Sequence, residues 1–268
     1  MNNQTGLLAP SPQRQQPGAA DRRAIYPSLA GKRVLVTGGG SGIGAGIVEA
    51  FARQSADVIF FDVAEAESQA LCERLEGRAS FKRVDLKDIG QLKREIAALL
   101  EDGAIDVLVN NAANDDRHSV EQVDEAYWDD RLNTNLKHHF FAAQAVAPLM
   151  AKKGGGAIIN LGSISWHLGL HDLTLYQTSK AAIEGLTRSL ARELGPDGIR
   201  VTCVIPGNVQ TPRQQRWYSP EGEAEIVAAQ ALKGRLQPED VAAMILFLAS
   251  DDARLVTGHN YWVDAGWR

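Results

Sequence analysis

Short apolar, β-branched runs recur along the chain and alternate with stretches of helical period. The runs are Val34-Leu35-Val36, Val58-Ile59-Phe60-Phe61, Phe81 to Val84, Val107-Leu108-Val109, Ala157-Ile158-Ile159-Asn160, Val201 to Ile205 and Tyr261-Trp262-Val263. Between the first two, Ile47, Val48 and Phe51 share one helical face, and Ala70 to Leu75 lie in a second helical stretch. Strands with one wet face alternate apolar and polar residues; most of these runs are continuously apolar, as parallel strands covered on both faces are, and Phe81 to Val84 continues the alternation of runs with helices. The expected fold class is α/β, a Rossmann-type doubly wound sheet of seven parallel strands. It fills a single domain over residues 29–268 and leaves no room for a separate substrate domain.

Composition narrows the function classes. A 268-residue chain with 44% hydrophobic residues can bury a full core. A formal net charge of -5 gives no footprint for nucleic acid or for an anionic membrane. No apolar run approaches the ~18 residues of a membrane span. Cys72 and Cys203 stand in ordinary helical and strand contexts, so neither a disulfide nor a metal site is expected, and a reducing, cytoplasmic location is the default. No third ligand accompanies His138-His139 or His167 and His171 at metal-binding spacing. Residues 1–28 are polar and proline-spaced with no apolar stretch. They are expected to be a disordered leader rather than a secretory signal, with ordering against a neighbouring subunit as the alternative.

The first strand runs into Thr37-Gly38-Gly39-Gly40-Ser41-Gly42-Ile43-Gly44 and then a helix. Glycines in that context permit a tight turn at Gly38, backbone approach to a pyrophosphate at Gly42, and helix-on-strand packing at Gly44. The helix N-terminus supplies N–H donors to phosphate. A dinucleotide cofactor is expected. Asp62 closes the second strand 18 residues beyond Gly44. A carboxylate there accepts ribose hydroxyls and repels a 2′-phosphate, which points to NAD rather than NADP. The alternative for Asp62 is a helix N-cap.

Tyr176 and Lys180 are four residues apart and therefore on one helical face. A phenol is a poor base at neutral pH unless a neighbouring cation favours the phenolate. Lys180 and the oxidised nicotinamide are both expected to favour the phenolate and so lower the Tyr176 pKa, so that Tyr176 acts as general base in alcohol oxidation. Ser163 lies 13 residues earlier, just after a strand, where its hydroxyl can hold the reacting oxygen.

The spacing Thr-Gly-x-x-x-Gly-x-Gly, with the Ser163, Tyr176 and Lys180 order, resembles the short-chain dehydrogenase/reductase family across the chain. The resemblance adds further expectations. Asn135, in Asn133-Thr134-Asn135-Leu136, becomes the fourth member of a catalytic tetrad, holding a water beside the lysine. Ser41 and Ile43 join the glycines as cofactor contacts, as do Asp85 and Leu86 on the adenine side and Asn111, Ala112 and Ala113 after the fourth strand. Pro206, Gly207, Val209 and Thr211 form the nicotinamide-side loop, with Tyr176 and Lys180 also touching the cofactor. Ala113 departs from the family's glycine. The resemblance also implies a homotetramer built on the helices around 125–152 and 175–194; the alternative is that those faces only cover the sheet.

Three loops at the carboxyl edge are polar and aromatic: Asn114 to His118, Ser165 to Leu168, and Asn208 to Tyr218. They suit a polyol, which needs a partner for each hydroxyl and a flat ring over its C–H face. These loops, together with Ala24 to Leu29 and the C-terminal Gly258 to Arg268, resemble the NAD-dependent sugar 1-dehydrogenases of that family. That implies oxidation at C1 of a cyclic aldose to an aldonolactone, with D-xylose first among the candidates and L-arabinose, L-fucose, D-glucose and D-galactose types as alternatives. Ser163, Trp166, Tyr176, Asn208, Asn114, His167 and Gln210 are the expected substrate contacts. Two other readings stay open: a carbonyl reductase of non-sugar substrates, and a dinucleotide-sensing binding protein.

Overall fold

The computed structural model describes residues 23–214 and 218–267. Seven strands, β1 (Arg33–Thr37), β2 (Asp57–Asp62), β3 (Ala79–Arg83), β4 (Val107–Asn110), β5 (Gly156–Leu161), β6 (Ile199–Pro206) and β7 (Asn260–Val263), form one sheet in the order β3-β2-β1-β4-β5-β6-β7. Every pairing is parallel. The four residues of β4 and Val34 to Thr37 of β1 are all buried, which is why these strands read as continuous apolar runs.

Two cores lie on opposite faces of this sheet. On one, α1 (Gly42–Arg53) packs against α9 (Pro238–Ala249), burying Ile47, Val48 and Phe51 against Val241 and Ile245. On the other, α3 (Ile89–Glu101) packs against α5 (His138–Lys153), with Leu92 and Ile96 set against Ala142 and Val146. The remaining helices are α2 (Glu65–Arg74), α4 (Glu125–Leu132), the single-turn α6 (Ser165–Leu168), α7 (Thr174–Leu194) and α8 (Pro220–Ala229). Strand order reverses between β1 and β4, so the loops leaving their carboxyl ends diverge and open a crevice between them.

Two local departures from the sequence pattern matter. The helical stretch around 125–152 is interrupted by one π turn, Asn133–Lys137, between α4 and α5. At the amino end, ordering begins before residue 29: Tyr26 N donates to Gln54 Oε1 at 2.8 Å, Gln54 Nε2 donates to the Ala24 carbonyl at 3.0 Å, and Leu29 is fully buried. The end of the expected leader is therefore tied to the domain, while its residues 1–22 fall outside the described residues.

Candidate active site

The glycine turn is built by close backbone packing. Gly38 has φ +67° and donates to the Phe61 carbonyl at 2.7 Å; a Cβ there would meet Ala112 Cα at 2.7 Å. A Cβ on Gly44 would lie 1.8 Å from the Gly38 carbonyl oxygen, so α1 sits directly on the turn rather than on the strand alone. Asn111 closes the turn from β4, its Nδ2 donating to the Thr37 and Gly38 carbonyls at 3.1 and 2.8 Å. Ser41 precedes α1 in extended conformation and makes no side-chain cap, leaving the first amides of the helix without a side-chain acceptor. The side chain of Thr211 faces Gly42, where an added Cβ would come within 3.3 Å of its Cγ2. Ala113 does not occupy the left-handed region, so its replacement of glycine carries no backbone strain.

Asp62 is not the N-cap of α2; Ala64 holds that position. Its carboxylate instead accepts from Gly40 N at 2.8 Å, Val63 N at 2.7 Å and Ala64 N at 2.9 Å, which fixes it beside the glycine turn. Asp85 is exposed, with Oδ1 accepting from Lys87 N at 3.0 Å, and the neighbouring Leu86 is buried. Pro206 ends β6, and the Gly207 amide donates to Val263 at 2.8 Å. The uncapped helix start, the Cβ-free cradle and the fixed carboxylate fit a dinucleotide: phosphate against α1, a ribose at Asp62.

At the other end of the crevice, Tyr176 and Lys180 lie on α7. Lys180 is buried and donates to the Leu161 carbonyl at 2.8 Å, with its Nζ 5.5 Å from the Tyr176 ring centre. Burial holds its ammonium down to about 8. Sequence reasoning expected Lys180 to lower the phenol. In the protein without its cofactor, burial and the charge of Asp115 push Tyr176 above its ordinary value, so the cation of a bound oxidised nicotinamide is needed beside Lys180 to favour the phenolate. The Ser163 hydroxyl and the Arg213 guanidinium act the other way. Ser163 Oγ lies 2.9 Å from Ser165 Oγ and accepts from Ser165 N at 3.1 Å.

Asn135 is carried by the π turn, which shifts the helical register by one residue. Its Oδ1 accepts from the Asn114 amide at 2.7 Å, while its buried Nδ2 has no partner within the protein. An unpartnered buried amide suits an ordered water, the role expected of Asn135. One turn on, His138 is fully buried and held neutral, its pKa pushed down to about 4 by burial. Its Nε2 donates to the Ala112 carbonyl at 3.1 Å, steadying the loop after β4.

The expected substrate residues divide differently from the sequence reading. Trp166 Nε1 donates to Glu184 Oε1 at 2.6 Å, and His167 Nε2 reaches the same oxygen at 2.9 Å. The two rings lie 3.7 Å apart between centroids, and His167 lies 4.3 Å from Trp262. Their polar atoms are thus committed to α7. Asn208 is bound at both ends of its amide, donating to the Tyr218 hydroxyl at 2.6 Å and accepting from Arg235 at 2.8 Å. Gln210 Oε1 accepts from Gln237 at 2.9 Å. Of the third polar loop, residues 215–217 lie outside the described residues.

Sequence reasoning missed the residues that join two of these loops. Arg213 reaches Asn114 Oδ1 at 2.9 Å, Asp115 Oδ1 at 3.1 Å and Asp116 Oδ1 at 2.7 Å, and Gln214 Nε2 donates to Asp115 Oδ2 at 2.9 Å. Only the unusual charge density of both loops hinted at it. Among the described residues, no helix is long and apolar enough to cross a membrane.

Comparison with known proteins agrees with this geometry. A family model described as enoyl-(acyl carrier protein) reductase matches residues 38–268. D-xylose 1-dehydrogenase of Caulobacter vibrioides is 65% identical over 248 residues, covering 91% of this chain and 99% of that protein. The probable galactose dehydrogenase GalD of Rhizobium meliloti is 45% identical over 247 residues, covering 90% and 96%. Among solved structures, a 7α-hydroxysteroid dehydrogenase complexed with NADH and 7-oxo glycochenodeoxycholic acid matches with a TM-score of 0.85 at 30% identity, covering 90% of this chain and 96% of that one. From the glycine turn to the last strand, then, the chain belongs to the short-chain dehydrogenase/reductase family, oxidoreductases that work with a nicotinamide dinucleotide.

Proposed function

We propose that this chain oxidises the C1 hydroxyl of a cyclic aldose, D-xylose first among the candidates, to the aldonolactone with NAD. The observation that carries the reading is the 65% identity to a D-xylose 1-dehydrogenase over 99% of that protein. The chemistry of the site agrees with it. When bound, the nicotinamide supplies the hydride acceptor. Tyr176 takes the proton of the C1 hydroxyl, and Ser163 holds the same oxygen by hydrogen bonding. Burial favours the neutral phenol at Tyr176, so the base must be reached against that cost. Lys180 keeps a cation beside it, and Asn135 presents its unpartnered Nδ2 to a water through which the proton leaves.

The choice of NAD over NADP rests on Asp62, whose fixed carboxylate repels a 2′-phosphate, and a relative bound to NADH supports it. The cofactor contacts proposed are Gly38, Ser41, Gly42, Ile43, Gly44, Asp62, Asp85, Leu86, Asn111, Ala112, Ala113, Tyr176, Lys180, Pro206, Gly207, Val209 and Thr211. We further propose a homotetramer and a cytoplasmic location. The exposed Trp128 and Phe140 on α4 and α5 support the first, and the second rests on the absence of any role for either cysteine in a disulfide, both being free. The test is NADH production from pentoses, 6-deoxyhexoses and hexoses at saturating NAD. D-xylose should give the highest kcat/KM; no turnover of any aldose refutes the reading and leaves family membership standing.

A further inference from the structure

We infer that Asp115, held by Arg213 and Gln214, is the specificity-determining acceptor for one ring hydroxyl of the substrate other than the one being oxidised. This deepens the aldose reading and rests on it.

The loops that were expected to recognise substrate have mostly spent their polar atoms on the protein. Trp166 and His167 share Glu184, both ends of the Asn208 amide are bonded, and Asn114 Oδ1 already accepts from Asp116 N and Arg213. Asp115 differs. A carboxylate offers roughly four acceptor positions. Asp115 spends one on Arg213 Nε at 3.1 Å and one on Gln214 Nε2 at 2.9 Å, one on each oxygen. Its side chain keeps 31% exposure, so acceptor positions remain within reach of a ligand.

Position and rigidity favour the same role. The preceding residue is pinned to the candidate tetrad, Asn114 N donating to Asn135 Oδ1 at 2.7 Å. The charge of Asp115 is felt by both Tyr176 and Lys180, raising the proton affinity of each. The other groups facing that centre are Ser163 from the loop after β5, Arg213 from the loop after β6, and His138 and Cys203 beside Lys180. A carboxylate fixed by two donors loses little freedom when it takes a third. A carboxylate accepts only from a donor. A substrate lacking the hydroxyl, or holding it on the other face of the ring, forgoes that hydrogen bond to the carboxylate.

The test uses the full-length enzyme, NAD, D-xylose, and the pentoses lacking one hydroxyl at C2, C3 or C4. In the wild type, loss of one of these hydroxyls should lower kcat/KM by roughly 10- to 100-fold through the missing charged hydrogen bond. In Asp115→Asn that penalty should shrink to about threefold or less, while penalties at the other positions persist. Asp115→Ser, run in parallel, should do the same, and NADH binding by fluorescence should be unchanged in both. Penalties that survive intact at every position, or a uniform loss across all sugars, overturn the inference. If the wild type turns over no aldose, the aldose reading itself falls and takes this inference with it.

Discussion

Replacing Lys180 by methionine removes a charge that the fold buries at a cost, and the structure sets the size of that cost. The ammonium is fully buried and its pKa falls from 10.5 to about 8. At ~1.4 kcal/mol per pKa unit, holding it charged at neutral pH costs the folded state about 3 kcal/mol. The sign follows from proton counts. Between about 8 and 10.5 the unfolded chain binds the proton and the folded chain does not. Wild-type stability attributable to this group is therefore fully present above 10.5 and lost as pH falls through about 8. Lys180→Met has no such dependence. At pH 7 the variant gains about 3 kcal/mol from the removed charge and gives back ~1–3 kcal/mol by leaving the Leu161 carbonyl without its donor. It should be as stable as the wild type or more so, while turnover collapses. The assay is urea unfolding of both proteins at one fixed protein concentration from pH 7 to 10.5. The wild type should gain on the variant by about 3 kcal/mol across that window. Tyr176, raised well above this window, stays protonated in both folded proteins and so contributes equally to each. A difference that stays flat with pH, or grows in the variant's favour, refutes the account of Lys180 as a buried charge maintained for chemistry.

Three further outcomes can be checked. Tyr176→Phe should bind NADH with unchanged affinity, by fluorescence titration, and lose roughly 100- to 10,000-fold in kcat; a fully active variant removes Tyr176 from the chemistry. Asp62→Asn keeps an acceptor for the Val63 and Ala64 amides, gives up the one for Gly40 N and drops the charge, so the ratio of kcat/KM for NAD over NADP should fall by about tenfold or more; an unchanged ratio locates cofactor choice elsewhere. Gly44→Ala places a Cβ 1.8 Å from the Gly38 carbonyl oxygen. It should weaken NAD binding and cost ~1–3 kcal/mol of stability, as overpacking of a close contact does; wild-type behaviour in both would mean that α1 shifts freely.

The sequence by itself determined the elements and the chemistry that is local to them. The apolar runs became parallel strands, and the inner ones are continuous because a strand buried on both faces has no place for polar alternation. The glycine turn, Asp62 at the end of β2, and Tyr176 one helical turn before Lys180 all depend on spacings of a few residues, which the chain carries directly. The tertiary structure decided what depends on distant partners and on exclusion of water. Asn135 reaches the centre through a π turn that no periodicity signals. Trp166 and His167 each bond Glu184 through one ring nitrogen, 18 and 17 residues away, a partner no local spacing names. Arg213 meets Asn114 and Asp116 across 99 and 97 residues of chain. The proton affinity of Tyr176 belongs to the same class. Its spacing to Lys180 is local, but the burial and the Asp115 charge that raise it in the protein without cofactor are properties of the whole fold.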